Sequence, residues 1–203
     1  MPECQPHEFS TAELDPDLLL APFGVQTNWH VITGTSSCGK TTLIGLLADE
    51  GFRTAPETAR QYFEMEMARG RPLEEIRADG VTAQHAIREL QLALERGLEA
   101  TDVVFLDRGL PDVLTHCRWR GLDPNEILPE CFCYRYASVF VLDPLPYRQD
   151  DVRREDEATR AYLARWLERD YTALGYDIVR VPVLPPHERL AFVLETLTRR
   201  GLL

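Results

Sequence analysis

Hydrophobic positions along the chain alternate between short apolar runs and longer amphipathic stretches. Trp29 to Thr33, Phe52 to Ala55, Val103 to Leu106, Ser138 to Leu142 and Ile178 to Val181 are runs of strand length, rich in β-branched and aromatic residues. The Val103 and Ser138 runs are apolar almost throughout, as central parallel strands buried on both faces require. Between the runs the period changes to helical. Thr42 to Ala48 predicts one helix, and Pro56 to about Ala68 a second, stopped by Gly70 and Pro72. A longer helix is expected from Asp79 to near Ala100, with Ala83, Ile87, Leu90, Leu94 and Leu98 as its core stripe. Further helices are predicted over Leu110 to Arg120, briefly at Asp123-Pro124, up to Leu174, and from Pro186 onward.

Strand followed by helix, repeated, predicts an α/β fold: a doubly wound, mainly parallel five-stranded sheet with helices on both faces. Right-handed crossovers would then bring the strands' C-terminal ends to one side, where the residues after each strand converge. Residues 1–27 read as a lead-in segment, since Pro16 and Pro22 break any long helix there, and residues 28–203 as the domain.

Composition narrows the function classes. A chain of 203 residues suffices for one α/β domain, and a net charge of −11 argues against a nucleic-acid or anionic-membrane surface. No apolar run approaches the ~20 residues that span a bilayer. Met1 to Pro6 lacks the basic start of a signal peptide. The five cysteines form no C-x-x-C pair, which fits free thiols in a reducing cytoplasm. His30, His85, His116 and His187 have no metal-ligand spacing.

The chemistry centres on Gly34-Thr35-Ser36-Ser37-Cys38-Gly39-Lys40-Thr41-Thr42, which fits G-x-x-x-x-G-K-[ST], the P-loop or Walker A pattern, between a strand and a helix. All nine residues are candidate nucleotide contacts. Gly34 and Gly39 permit backbone angles that turn successive N–H groups toward a phosphate, and the helix N-terminus adds its dipole. Lys40, the sole lysine and expected in a solvent-facing loop, would reach the β- and γ-phosphates of ATP; the Thr41 hydroxyl would ligate Mg²⁺. Cys38 holds a variable position and is expected to contribute only its backbone N–H.

The other strand ends supply further candidates. Asp107 would hold Mg²⁺ with Thr41, or else cap a helix, and Arg108 would face substrate or the transferred phosphate. Glu57, expected across the site from the glycine loop, could act as general base on an acceptor hydroxyl, oriented by Arg60; the competing reading is a surface ion pair. Tyr147 to Asp156 is dense in charge and suits a lid that brings Arg148, Arg153 and Arg154 over the γ-phosphate, unless it is a solvated helix. Gln84, Arg88 and Gln91 flank the apolar stripe of the long helix and would either read substrate or form an exposed polar face.

The glycine loop, Glu57-Thr58-Ala59-Arg60, Asp107-Arg108 and Val141-Leu142-Asp143-Pro144 ahead of an arginine-rich segment together resemble the nucleoside and nucleotide kinase branch of P-loop NTPases. The likeness, over about residues 28 to 200, is to AAA-type ATPase/kinase domains similar to the ribosylnicotinamide kinase domain of bacterial NAD-metabolism regulators. It implies a P-loop NTPase fold and ATP- and Mg²⁺-dependent phosphoryl transfer to a small-molecule acceptor, nucleoside-like or a nucleotide. It further implies that Glu57 serves as base and that Asp107-Arg108 contacts magnesium and substrate. An ATPase switch or regulatory nucleotide-binding protein acting through a protein partner is the alternative. The acceptor and the oligomeric state stay open.

Overall fold

The computed structural model describes residues 9–145 and 157–203. In chain order the elements begin with β1 (Val25–Gln26), β2 (Trp29–Thr33), α1 (Lys40–Asp49), β3 (Arg53–Ala55) and α2 (Thr58–Ala68). Next come α3 (Leu73–Ala78), α4 (Gly80–Arg96), β4 (Val104–Asp107) and α5 (Leu110–Trp119). Two 3₁₀ turns lead to β5 (Tyr134–Arg135), then β6 (Ser138–Leu142), α6 (Glu157–Ala173), β7 (Ile178–Val181) and α7 (Pro186–Arg199). The lid expected at Tyr147 to Asp156, with Arg148, Arg153 and Arg154, lies outside the described residues.

The main sheet has five strands in the order β3-β4-β2-β6-β7, all parallel. This is the doubly wound α/β arrangement of P-loop NTPases. Alternation along each strand separates two cores. Trp29, Val31, Val104, Leu106, Val139 and Val141 face α4, α5 and α6, whereas Ile32, Phe105, Phe140 and Leu142 face α1 and α7. Because β2 lies third of the five and is buried at every position, its C-terminal end opens at the centre of the sheet.

Two features depart from the expected pattern. Pro72 does not simply end a helix; it is the N-cap of α3, whose Ile76 packs with Tyr62 and Ala83 in a separate small cluster. On α4 the fully buried positions are Gly80, Ala83, Gln84, Gln91, Leu92 and Glu95, while Ile87 and Leu90 pack only against the small cluster. Gln84 and Gln91 are therefore buried, not part of an exposed polar face. Periodicity located the helix and its apolar stripe, whose five members all pack on a hydrophobic cluster, but not the buried flank of Gln84, Gln91 and Glu95, because polar side chains with partners inside count as core.

The segment ahead of the main sheet lies against the domain. Leu14 is buried in the core that contains α5, and Leu18, Leu19 and Phe23 pack on it. β1 pairs in parallel with β5. Arg118, fully buried, donates to Ala12 O at 2.7 Å and forms a bidentate pair with Asp170 on α6 at 2.8 and 2.9 Å. The Thr115 hydroxyl also donates to Asp170, and the Arg118 guanidinium lies 4.0 Å from the Trp166 ring centroid. Among the described residues no helix is long and apolar enough to cross a membrane.

His30 is fully buried in β2, with Nδ1 2.8 Å from Ser138 Oγ and Nε2 without a partner. Burial holds its imidazole down at about 4, against 6.5 for the free group. Between those values the unfolded chain binds more protons than the folded one. This contribution to stability is thus present above the unfolded value and lost as pH falls toward the folded one. The parent chain should lose about 2–3 kcal/mol of unfolding free energy relative to His30→Leu between about pH 7 and about pH 4.5. Urea titrations at both pH values measure this, and a gap independent of pH would refute it.

Candidate active site

The loop between β2 and α1 has the geometry its glycines demand. Gly34 has φ +140, and a Cβ there would meet Cys38 Sγ and Leu142 O at 2.9 Å each. Gly39, at φ +93, is the N-cap of α1, so the free N–H groups of that helix open onto the loop. Ser37 also adopts positive φ, at 66.

Lys40 does not stand in solvent as expected; it is 6% exposed, and its ammonium donates to Gly34 O at 3.1 Å and Thr35 O at 2.9 Å. The side chain bridges the loop's own carbonyls. Cys38 contributes more than an N–H: its side chain is fully buried, with Sγ 3.7 Å from Lys40 Nζ. Thr35 is buried with an unpartnered hydroxyl, Ser36 and Ser37 are half-buried, and Thr41 and Thr42 are exposed at the start of α1.

Asp107 ends β4 beside β2, paired in register with Ile32. Its carboxyl is buried and Oδ1 has no partner. Burial pushes it up to about 6 against the pull of Lys40. A buried carboxylate oxygen without a donor is costly, and a cation would relieve it. Arg108 follows in the left-handed region, at φ 77. Its strain is over-determined by partners: N–H to Ile32 O at 3.1 Å, Nε to Glu57 at 2.8 Å and Nη1 to Asp112 at 2.8 Å.

Glu57 is therefore oriented by Arg108, not by Arg60, which is exposed one turn along α2. Burial raises the pKa of Glu57, but Arg108 and then Lys40 outweigh that and hold the carboxyl at about 2. Arg108 in turn resists deprotonation: burial opposes its charge, yet Glu57 and Asp112 more than compensate.

The motif search missed Asp112, Glu95, His116 and Arg189. Asp112 Oδ1 accepts from Thr33 Oγ1 at 2.5 Å and from Arg108, and Oδ2 accepts from Gly109 N at 3.2 Å and the Tyr171 hydroxyl at 2.6 Å. Its spacing of four residues after Arg108 on a helix start was the one available signal. Glu95, pushed up to about 7 by burial, accepts from Gln91, Leu110 N and the Tyr136 hydroxyl. Gln91 also accepts from Thr58 at 2.9 Å, which ties α4 to the residue after Glu57. His116 on α5 is kept neutral, down at about 4, by burial and by the Arg108 charge. Gln84 is buried on the adjacent face of α4 and hydrogen-bonds Cys117, and Arg88 pairs with Glu130 at the same end.

Asp112→Asn would turn an amide N–H₂ toward a cluster of donors and leave Arg108 with one carboxylate. Breaking a buried pair in this way costs about 3–5 kcal/mol. Urea unfolding should show a loss of that size, and a change below about 1 kcal/mol would show that Asp112 is not what holds the loop.

The geometry agrees with the likeness to known proteins. Among solved structures, deoxyadenosine kinase from M. mycoides is similar, with TM-score 0.60 and 15% identity over 84% of this chain and 98% of that one. The NadR protein in complex with NR is similar at TM-score 0.62 and 18% identity, over 85% of this chain and 50% of that one. Thymidylate kinase from Ehrlichia chaffeensis matches at TM-score 0.56 and 14% identity, over 87% and 100%. At these identities the likeness shows the fold, that of P-loop kinases. No curated protein matches the sequence. A family profile described as AAA domain matches residues 29–189, which take in all five strands of the main sheet. The chain belongs to the AAA domain family.

Proposed function

We propose that this chain is an ATP- and Mg²⁺-dependent kinase that phosphorylates a small metabolite, a nucleoside-like compound or a nucleotide. The observation that carries the reading is Glu57, an ionised carboxylate clamped by Arg108 close to the glycine loop. A carboxylate held in this way can orient an acceptor hydroxyl for attack, as it could the water of an ATPase, so the two readings part on whether its loss falls on acceptor phosphorylation or on hydrolysis. The fold shared with deoxyadenosine kinase and thymidylate kinase supports the same reading.

The roles follow from placement. Phosphate oxygens would replace the Gly34 and Thr35 carbonyls as acceptors for Lys40, turning neutral hydrogen bonds into charge-assisted ones. The N–H groups at the start of α1 would bind the β-phosphate. Asp107, with its unpartnered buried oxygen, and the Thr41 hydroxyl fit Mg²⁺, which takes one or two protein oxygens and otherwise water and phosphate. Bound there, the ion would neutralise charge on the β- and γ-phosphoryl oxygens. Glu57 would accept the hydrogen bond of the acceptor hydroxyl and set its line of attack. A loose transition state asks more for that orientation than for early proton removal, which suits a carboxylate held at about 2.

Gln84 and Arg60 stand as acceptor contacts in this reading, and Arg148, Arg153 and Arg154 as γ-phosphate contacts from the lid. Residues 28–203 would form the kinase-like unit. The free thiols of Cys38, Cys117, Cys131 and Cys133 support a cytoplasmic setting.

Two variants test the proposal. Lys40→Ala should abolish phosphoryl transfer, and wild-type turnover would refute the nucleotide-site assignment. Glu57→Gln should lower acceptor phosphorylation by about 10²-fold or more, while acceptor-independent hydrolysis falls far less. A panel of candidate acceptors, assayed for ADP release with and without each compound, supplies both rates. Equal loss in both activities would move Glu57 to the magnesium shell and leave the kinase reading without its base.

A further inference from the structure

Arg189 lies on the first turn of α7, 3% exposed, and all of its described hydrogen bonds go to main-chain carbonyls. Nε donates to Pro182 O at 3.0 Å, in the loop between β7 and α7. Nη1 donates to Cys38 O inside the glycine loop, and Nη2 to Asp143 O at 3.3 Å, just past β6. Among the described residues no carboxylate pairs with it, whereas fully buried Arg118 has Asp170 and the largely enclosed Arg108 has Glu57 and Asp112.

Two consequences follow from elementary geometry and charge. A trans peptide points its C=O and the next N–H in opposite directions. Anchoring Cys38 O on the guanidinium therefore turns the Gly39 N–H away from Arg189. A Cβ at residue 39 would also lie 3.2 Å from Nη1, a tight contact added to the left-handed backbone that already favours glycine there. The second consequence is electrostatic. A cation that pairs with no carboxylate among the described residues retains much of its field, so an anion gathered beside the loop would supply a partner. The three carbonyls also join the glycine loop to the residue after β6 and to the last strand-helix loop.

We infer that Arg189 is a positioning residue for the polyphosphate: it orients the Cys38–Gly39 peptide for binding and adds a positive charge behind the loop. This rests on the nucleotide-site reading above and assigns it a residue from outside the motif, 151 positions along the chain. The fork geometry is essential to the role. A lysine would keep the charge yet could not span three carbonyls, and a glutamine would keep some donors and lose the charge.

The test uses the full chain with Mg²⁺ and two probes, a non-hydrolysable ATP analogue and inorganic tripolyphosphate, titrated calorimetrically against the parent, Arg189→Lys and Arg189→Gln. Both variants should weaken both probes by about tenfold or more, and Arg189→Gln, which also lacks the charge, should weaken tripolyphosphate further than Arg189→Lys does. Affinities within about twofold of the parent in folded variants would overturn the inference. If a variant does not fold, solvent exchange of the Arg189 Nε proton in the parent chain decides. It should slow about tenfold or more when either probe binds, and exchange unaffected by saturating probe would overturn the inference. Failure of the parent itself to bind either probe would instead refute the nucleotide site, so the two failures are distinct.

Discussion

The Asp112 carboxylate accepts hydrogen bonds from four donors drawn from different parts of the fold: Thr33 at the end of β2, Arg108 and Gly109 in the loop after β4, and Tyr171 on α6. The four donors converge where the parallel sheet ends. Holding them on one buried anion fixes the separation between the central strand, the loop after its neighbour and the covering helix. The strained backbone of Arg108 persists because these bonds leave it no relaxed alternative that keeps its partners. Through Arg108 the same anion sets the position and the ionisation of Glu57.

Three buried arginines illustrate how charge is distributed over the domain. Arg118 is matched by Asp170, stacked on Trp166 and far from the strand ends, and it holds the entering segment to α5 and α6. Arg108 is matched twice, by Glu57 and Asp112, so its charge orients other groups and is itself largely neutralised. Arg189 is surrounded by carbonyls. Of the three, Arg189 alone lacks a carboxylate partner among the described residues, and it is the one that touches the glycine loop. The carboxyls show the converse. Asp107 beside the loop carries an unpartnered oxygen and a raised pKa, whereas Asp112 is saturated by donors.

Much of this architecture was legible in the chain itself. Strand and helix periods follow from side-chain spacing along a single segment, so the five strands of the main sheet, their mainly parallel arrangement and the convergence of their ends could be read directly, though not their order. The glycine loop was equally legible, because the left-handed angles at Gly34 and Gly39 are a local steric requirement. The placement of Asp107 and Arg108 after a fully apolar run was likewise visible. What the pattern misjudged was α4, where Gln84, Gln91 and Glu95 face inward. A polar residue reads as a surface residue unless the partner that satisfies it is known, and those partners lie on α2, α5 and β5's flank.

The sequence by itself determined the secondary elements, the sheet's class and the presence of an anion-binding turn, since each depends on residues within a few positions of one another. Only the tertiary structure decided which charges meet. Glu57 pairs with Arg108 across 51 positions and not with Arg60 three residues away, because the strand order sets the ends of β3 and β4 side by side. Lys40 turned out to be buried on its own loop, and Arg189 reaches that loop from the last helix. Such contacts are chosen by how the helices pack over the sheet, and in a chain that is read one residue after another nothing distinguishes those arginines from the rest.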